Sequence, residues 1–309
     1  MHTTKTVLKK RKRDLPFPEF QKQFATEEDC HRYLYEKRWA NGFICPKCGN
    51  SKFYWIEREF RYQCTQCKRQ TSITAGTLLH RTHLPLRYWF WAIYLISRDK
   101  RGISAIALKN ALNISYPTAW HLLHKIRIAM GNKDQDYILS GIVVLDDAFF
   151  GGKTKGKKRG RGTEKSNVLI AVSLNKNNQA LFAKMIVVEN MKDEKISPEI
   201  KKLIETGSIL RTDAHRTLAN LKEYLHEVVV TYEQPELAES VFHWVNVITS
   251  NAKSFILGTF HGLPKKYLSR YLDEFCYRFN RRFCEHQIFA KLVNACLIVP
   301  PAPYAEVNL

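Results

Sequence analysis

The spacing of hydrophobic and polar positions divides the chain into a helical first part and a strand-rich second part. Over the first 135 residues, apolar and aromatic side chains recur every three to four positions, which is typical of helices that pack one face on a core. This spacing predicts four helices, over residues 26–39, 84–97, 104–112 and 117–130. The second is so rich in aromatic residues and so poor in charge that we expect a core helix rather than a base-stacking surface.

From residue 141 onward, apolar runs of strand length replace the helical spacing. Three such runs follow one another, and helices then alternate with two more runs. The predicted strands are residues 141–150, 167–174, 180–188, 208–213 and 227–232, and the predicted helices are residues 197–206, 215–226 and 237–257. This order is that of a ribonuclease H-like α/β fold, with the polar residues 131–140 as the boundary in front of it.

Four of the eight cysteines form two tight pairs, and the other four are scattered among apolar residues. The pairs are Cys45 with Cys48 and Cys64 with Cys67, separated by fifteen residues that include strand-like sequence. Two such knuckles on adjacent hairpins present four thiolates to one ion, which is the arrangement of a zinc ribbon. We therefore predict a structural zinc ion at these four cysteines, because four thiolates leave no coordination position for a substrate.

The helices predicted at residues 104–112 and 117–130 carry the signals of a helix-turn-helix. Ser104 and Ser115 stand where N-caps are expected, and apolar residues interlock across the break between the helices. The polar side of the second helix is expected to carry Tyr116, Thr118, His121, His124, Lys125 and Arg127. A plain helical hairpin would show a similar pattern, so both a DNA-binding and a purely structural role stay open at this point.

The charge balance indicates a polyanionic partner. With 49 Lys and Arg against 29 Asp and Glu, the formal net charge is +20, which fits DNA and RNA equally well. The basic, glycine-rich residues 151–162 are expected to contact phosphate, whereas the basic residues 1–14 fit a solvated tail equally well. No apolar segment has the length of a membrane span and no signal peptide is evident, so a cytosolic protein is expected.

Three polar residues lie where the predicted fold would bring them together. Asp146 follows the apolar run of the first strand, Asp213 ends the fourth, and Asn246 lies on the helix at residues 237–257. Hard oxygen ligands of this kind suit a pair of magnesium ions that act in phosphoryl transfer. A lone Asp at a strand end is more often a cap or turn former, so the joint position of the residues carries the prediction.

Other positions on the same helix bear on this site. Lys253 lies two helical turns after Asn246 and faces the same way, which suits a side chain that holds a phosphate. Asn251 ranks second as the amide ligand, because its direction on the helix differs from that of Lys253 by about 200°. His243 lies one turn before Asn246, and no catalytic role is assigned to it.

The chain resembles bacterial insertion-sequence transposases of the DDE superfamily, in the ISXO-type group that has an N-terminal zinc ribbon and an Asp-Asp-Asn catalytic set. The resemblance covers residues 24–298, and its most specific part begins at His243 and ends at Arg282. The resembling stretches are CPKC with CTQC, SYPTAWHLLHKIRIAM, VLDDAFFGGK, RTDAHRTL and HWVNVITSNAKSFILGTFHGLPKKYLSRYLDEFCYRFNRR. The resemblance implies Asp146, Asp213 and Asn246 as catalytic positions that bind Mg²⁺ or Mn²⁺, with Lys253 as the helix lysine.

This chain departs from the family pattern at three places. Asp147 stands where a Glu is usual, Ala214-His215 replaces the usual surroundings of the second Asp, and Asn246 carries no carboxylate. Loss of that charge is expected to weaken one metal site. Asp147 and Glu239 are the candidates to replace the missing carboxylate.

Together these features predict an α/β chain in which a zinc ribbon and a helix-turn-helix precede a ribonuclease H-like catalytic domain. The predicted parts are a basic tail (1–23), a helix with the ribbon (24–78), a helix-turn-helix domain (79–135) and the catalytic domain (136–309). The expected function is that of a DNA transposase, which binds the terminal inverted repeats of its element, cuts phosphodiesters and joins the freed ends to target DNA. It is expected to act as a dimer or larger assembly on double-stranded DNA, in the cytoplasm at the nucleoid and without a membrane partner.

Two other functions compete with this one. A catalytically silent DNA-binding regulator would keep the ribbon and the helix-turn-helix, and Asn246 is the feature that favours it. A structure-specific nuclease would cut without joining, but it explains the N-terminal modules less well.

Overall fold

A computed structural model describes residues 15–151, 165–189, 193–213, 221, 223–230 and 232–307. The predicted basic tail up to residue 14, the glycine-rich loop beyond Gly151, and Ala214-His215 lie outside these described residues. In the described part, no helix combines the length and the apolar character needed to span a lipid bilayer.

Short helices and a three-stranded sheet form the N-terminal part. Helix α1 is Phe17–Gln23 and α2 is Glu27–Arg38. Thr26 caps α2 as predicted, because its hydroxyl accepts a hydrogen bond from the Asp29 N–H while the Asp29 carboxylate accepts one from the Thr26 N–H. Three antiparallel strands follow in the order β1 (Phe53–Ile56), β2 (Arg61–Cys64) and β3 (Gln70–Ser72).

Both helices of the predicted helix-turn-helix are present, and the second is longer than predicted. The helices of this region are α3 (Leu86–Arg98), α4 (Ala105–Leu112) and α5 (Tyr116–Gln135). The hydroxyls of Ser104 and Ser115 accept the capping hydrogen bonds of α4 and α5. Gly131 lies inside α5, and a Cβ there would be 2.5 Å from Asp273 Oδ2 on a later helix. The glycine therefore admits a close helix contact instead of marking a domain boundary.

Burial corrects the expected polar side of α5. His124 and Arg127 are each 1% exposed. The His124 ring stacks on Trp120 with 3.8 Å between ring centroids, and Arg127 Nε donates to Glu274 at 2.8 Å. A later helix covers this half of α5, which is why neither side chain can reach a nucleic acid. Of the polar residues predicted on this side, Tyr116, Thr118, His121 and Lys125 keep solvent exposure.

A mixed five-stranded sheet forms the second half of the molecule. Its strands are β4 (Ile142–Phe150), β5 (Ser166–Leu174), β6 (Ala180–Val188), β7 (Ile209–Asp213) and β8 (Leu225–Val229). They lie in the spatial order β6-β5-β4-β7-β8. Strand β5 pairs antiparallel with both β4 and β6, whereas β7 and β8 run parallel to β4. The predicted α/β class, with three consecutive strands before two separated ones, is therefore confirmed.

Two helices cover opposite faces of this sheet. Helix α6 (Asp193–Leu203) packs on one face, and the apolar cluster there includes Val143, Leu145, Leu169, Ile196, Ile200 and Leu210. Helix α7 (Pro235–Phe260) packs on the other, with a cluster that includes Val144, Ile170, Val172, Val241, Val245 and Ile248. Neighbouring residues of β4 thus alternate between the two clusters, as the pleat of a strand requires.

Further predicted element bounds are wrong. Strand β8 begins at Leu225 and ends at Val229 instead of spanning 227–232, because it pairs residue for residue with the short β7, from Ile209↔Leu225 to Asp213↔Val229. Residues 225–226 are therefore strand and not the end of a helix. Most of the predicted helix at 215–226 lies outside the described residues, and the helix predicted at 197–206 begins four residues earlier, at Asp193.

The C-terminal helices return to the N-terminal part. They are α8 (Leu268–Phe279), α9 (Ile288–Ile298) and α10 (Tyr304–Val307). Ile288, Leu292 and Cys296 of α9 belong to the same hydrophobic cluster as residues of α3, α5 and the ribbon. The N-terminal core is therefore built from both ends of the chain, although α9 lies within residues 136–309, which the sequence predicts as one domain.

Candidate active site and zinc site

Asp146 lies on the face of the sheet that α7 covers. Val144, Ala148 and Phe150, which share its direction on β4, pack in the cluster beneath α7. Asp147 points to the opposite face, because consecutive side chains of a strand alternate. Its backbone N–H donates a hydrogen bond to Asp146 Oδ1 at 2.8 Å. The strand geometry thus assigns Asp146, and not Asp147, to the side of α7.

Asp213 comes to the same edge of the sheet through strand pairing. It is the last residue of β7, which runs parallel to β4 with Leu145 opposite Thr212. The next residues of the two strands, Asp146 and Asp213, are therefore adjacent on neighbouring parallel strands. Thr212 and Leu210 point to the α6 side, which directs Asp213 to the α7 side.

Helix α7 supplies the third predicted residue. Asn246 and Glu239 lie seven residues apart, so they occupy nearly the same angular position on the helix. Phe242 lies between them at spacings of three and four residues, which puts all three side chains on one face. Phe242 is not among the residues predicted from the sequence, and its helical spacing is the signal that identifies it.

A cavity of about 390 Å³ brings these residues together. It is lined by Asp146, Asp213, Pro235, Ala238, Glu239, Phe242 and Asn246. The structure therefore assembles the three residues predicted as the site, and it adds the carboxylate of Glu239. The apolar side chains of Ala238 and Phe242 form part of the wall, so the polar atoms are confined to a few directions.

Burial makes ionisation of Asp146 unfavourable. It raises the pKa of this carboxyl to about 6; the hydrogen bond from the Asp147 N–H opposes the rise, and the charges of Asp213 and Asp147 add to it. A divalent cation in the cavity would remove this cost, because it neutralises the carboxylates that repel each other. The donor set of carboxylates and one amide oxygen fits Mg²⁺ or Mn²⁺.

The carboxylates line the cavity without converging on one point. Among the residues that the structure describes, only the four ribbon cysteines form a group of three or more Cys, His, Asp or Glu ligand atoms within 4.8 Å of one another. A spread of ligands suits two ions about 3.5–4 Å apart, which take their ligands from opposite sides.

Lys253 lies beyond the cavity, at the end of β4. Its Nζ is 5.4 Å from the centroid of the Phe150 ring. Partial burial lowers its pKa, and the charge of Lys165, next to the start of β5, lowers it further. Two cations near one another at the ends of adjacent strands suit an anionic ligand such as a phosphate.

The runner-up amide faces elsewhere. Asn251 lines a separate cavity of about 640 Å³, together with Ser97, Arg101 and Arg278. Helical geometry is the reason, because Asn251 and Asn246 differ by about 140° around α7. His243 is exposed on α7 and is not among the residues that line the smaller cavity.

The four cysteines come together in the ribbon as predicted. Cys45 Sγ lies 3.6 Å from Cys67 Sγ, and Cys48 Sγ lies 3.5 Å from Cys64 Sγ. Sulfurs at about 2.3 Å from a tetrahedral zinc are about 3.8 Å apart, so the cluster has the dimensions of a zinc site.

Hydrogen bonds around Cys64 favour its thiolate. Burial opposes ionisation, but the N–H groups of Gln66 and Cys67 and the side chain of Asn50 donate to the sulfur, and they bring the pKa of Cys64 to about 6. The Asn50 Nδ2 lies 3.4 Å from Cys64 Sγ. Backbone donors of this kind orient the ligands of a metal and lower the cost of their deprotonation.

Two family profiles match this chain. The ISXO2-like transposase domain matches residues 138–280, and the transposase zinc-ribbon domain matches residues 25–70. The first match contains Asp146, Asp213, Asn246 and Lys253, and the second contains the four cysteines. The two matches do not overlap, and together they cover more than half of the chain.

A curated relative is similar over part of its length. It is an uncharacterised protein in the transposable element ISH50 of Halobacterium salinarum, 28% identical over 141 residues. The aligned region covers 45% of this chain and 47% of that relative, so the chain matches about half the length of the relative.

Solved structures of Mos1 assemblies are distantly similar. The strand transfer complex has 11% identity over 69% of this chain and 80% of its own, with a TM-score of 0.24. The paired-end complex with Mn has 13% identity over 86% and 93%, with a TM-score of 0.21. These TM-scores are too low to support a conclusion about fold or function.

Proposed function

Because the chain belongs to the ISXO2-like transposases, we propose that it is a DNA transposase that cuts phosphodiesters at the ends of its element and joins them to target DNA. The observation that carries the proposal is the cavity beside the middle of β4 and the end of β7, which Asp146, Asp213 and Asn246 line. Two-metal phosphoryl transfer needs oxygen ligands around a pair of cations, and that cavity presents them.

The reaction would depend on placement and charge. Bound Mg²⁺ or Mn²⁺ ions supply Lewis acidity and neutralise the charge that develops during in-line displacement. Asp146, Asp213 and Asn246 would hold these ions, and Lys253 would bind a DNA phosphate beside the cavity. Phe242 and Ala238 would limit the access of water, which strengthens the electrostatic interactions inside. No covalent protein intermediate is required.

The ribbon and the start of α5 are the surfaces proposed to bind the element ends. On the ribbon, Tyr54 is 60% exposed and Trp55 is 42% exposed, and Lys68 Nζ lies 5.8 Å from the centroid of the Tyr54 ring. On α5, the residues of the predicted polar side that remain accessible, Tyr116, Thr118, His121 and Lys125, lie in the N-terminal half, with Tyr116 47% exposed. The N-terminal end of a recognition helix is the part that reaches base edges, so this restriction is compatible with a helix-turn-helix.

The formal charge of +20 supports a nucleic acid as partner. The action on two element ends in one reaction leads us to propose a dimer or larger assembly on double-stranded DNA. In a cell we would expect this assembly in the cytoplasm, at the nucleoid.

The second candidate function is a DNA-binding regulator without catalysis. Asn246 favours it, because an amide in place of a carboxylate removes one negative charge from the cation ligands. A regulator would keep the metal-dependent ribbon and would bind DNA without cutting it.

The test is a cleavage and strand-transfer assay on DNA that carries the ends of the element, in Mg²⁺ and in Mn²⁺. The wild type is compared with Asp146→Ala and with Asp136→Ala, which removes an exposed carboxylate that pairs with Lys133. Joined products from the wild type and from Asp136→Ala, but not from Asp146→Ala, would support the transposase. Specific DNA binding without any cut strand would support the regulator, and cut strands without joining would support a nuclease.

A further inference from the structure

The cation site that the proposed function requires has one carboxylate fewer on α7 than an all-acidic set would have. Asp146 and Asp213 carry one negative charge each, and Asn246 carries none. Two divalent ions bring four positive charges, so a third carboxylate would improve the local balance before any DNA is bound. The structure contains such a carboxylate in the wall of the same cavity, at Glu239.

The position of Glu239 along α7 determines which of two metal ions it can ligate. Glu239 and Asn246 share one face of the helix, but seven residues separate them by about 10.5 Å along its axis. Side chains that far apart do not ligate one ion at about 2.1 Å each. They can serve two ions about 3.5–4 Å apart, one from each end of the cavity.

The carboxylates of Asp147 and Glu236 are less well placed to bind a metal ion in this cavity. Asp147 points to the opposite face of the sheet from Asp146, toward α6. Glu236 belongs to the first turn of α7, but it is not among the residues that line the cavity. Glu239 is therefore the carboxylate that the fold adds to the predicted pair.

We propose that Glu239 supplies the third carboxylate of the metal site, as a ligand of the ion on the opposite side of the cavity from Asn246. This inference rests on the proposed function, since it completes the metal site of that reaction. One further feature supports it. The neighbours of Glu239 in the wall, Ala238 and Phe242, leave the carboxylate as the polar group of that side of the cavity.

The test measures metal binding directly, on the full-length protein with its ribbon loaded with zinc. Mn²⁺ binding is followed by titration calorimetry and by electron paramagnetic resonance in four proteins: the wild type, Glu239→Gln, Glu236→Gln and Asp146→Asn. Glutamine keeps the size of the side chain and removes its charge. Glu236→Gln is the matched control, because it makes the same change on the same helix outside the cavity.

In Glu239→Gln, the affinity for one Mn²⁺ ion is expected to fall about tenfold or more. Loss of a group that only orients a metal ligand already weakens binding by at least about that factor. Glu236→Gln is expected to stay within about twofold of the wild type. Adding Asn246→Asp to Glu239→Gln should not restore the affinity for this ion, because residue 246 lies too far along α7 to ligate it. Zinc content and thermal unfolding, measured on each protein, show that a loss of Mn²⁺ binding is not a loss of folding.

Two outcomes would overturn the inference, and they differ in what they leave standing. If Glu239→Gln binds Mn²⁺ like the wild type while Asp146→Asn does not, Glu239 is not a ligand and the proposed metal site survives. If the wild type binds no Mn²⁺, or if Asp146→Asn leaves binding unchanged, the metal site of the proposed function fails together with the inference.

Discussion

Asp146 is the residue whose surroundings bear most directly on the proposed chemistry. It shares a strand face with Val144 and Phe150, both fully or almost fully buried, and it lies beside Asp213 in the lining of the cavity. Ionisation of such a carboxyl group is unfavourable without a bound cation and becomes favourable when a cation is bound. Sites of catalysis often combine burial with like charges in this manner, at the expense of stability.

This arrangement predicts a pH dependence of stability in protein without added divalent metal. The pKa of Asp146 is raised to about 6 in the folded state, so its favourable contribution is present below about pH 4 and is lost as pH rises through about 6. At pH 7, Asp146→Asn should therefore be more stable than the wild type, by at most about 3 kcal/mol. The difference should shrink toward zero near pH 4.

Urea unfolding from pH 4 to pH 8 measures this difference, in buffer without strong chelators, so that the ribbon keeps its zinc. Added Mg²⁺ should reverse the order at pH 7, since only the wild type gains from the cation. Equal stability of the two proteins at every pH would contradict the assigned burial of Asp146. Asp136→Asn, an exposed position, serves as the control that should show no such dependence.

The ribbon is the element whose stability depends most on an ion. Its three strands have three or four residues each, too few to form a core by themselves. Tyr62 and Phe43 of the ribbon nevertheless pack in the main N-terminal cluster, where each is almost fully buried. Unfolding of the ribbon should therefore also destabilise the helices that it contacts.

Cys64→Ser is expected to lower zinc content and to unfold the ribbon, because it removes a ligand whose deprotonation the surrounding donors favour. Since Tyr62 and Phe43 would leave the core with it, thermal unfolding should begin at a lower temperature for the helical part as well. Zinc analysis and near-ultraviolet circular dichroism measure both effects. Cys284→Ser, outside the ribbon, should retain zinc and the wild-type melting curve, and a ribbon that stays folded in Cys64→Ser would refute the expectation.

A buried charge network joins the helical part of the whole molecule to the sheet. Glu274 of α8 is fully buried and pairs with Arg127 of α5 at 2.8 Å and with Arg278 at 2.9 Å. The Arg127 guanidinium also lies 4.0 Å from the centroid of the Tyr271 ring. Helix α8 itself packs on both α5 and β6, so this network lies in the connection between the proposed DNA-binding helices and the five-stranded sheet.

Glu274→Gln is expected to destabilise the protein by about 3–5 kcal/mol, because it leaves buried guanidinium groups without a counter-charge. Replacing both partners, as Arg127→Met with Glu274→Leu, should recover the part of this loss that comes from Arg127, whereas Arg278 still lacks its partner. Denaturant unfolding of Arg127→Met, Glu274→Leu and the double variant measures the coupling. Additive effects of the two changes would show that the pair does not act as a unit.

The local features of this chain could be predicted from residue type and spacing. Thr26, Ser104 and Ser115 cap helices because their hydroxyls reach backbone N–H groups three residues away, and the neighbouring sequence contains all that this requires. The four cysteines form one cluster because each Cys-x-x-Cys turn places two sulfurs on one side. Side chains alternate along β4 and recur about every 3.6 residues along α7. The faces on which Asp146, Asn246 and Lys253 lie could therefore be predicted from the sequence.

Contacts between distant parts of the chain could not be predicted from residue type and local spacing. The exclusion of His124 and Arg127 from the surface depends on α8, about 140 residues later, and the N-terminal core includes α9 from the other end of the chain. The helical angle ranked Asn246 above Asn251 in advance, but the entry of Glu239 and not Glu236 into the cavity depends on how α7 is rotated against the sheet. Local periodicity defines which residues share a face of a helix or strand, but only tertiary packing determines which residues that face contacts.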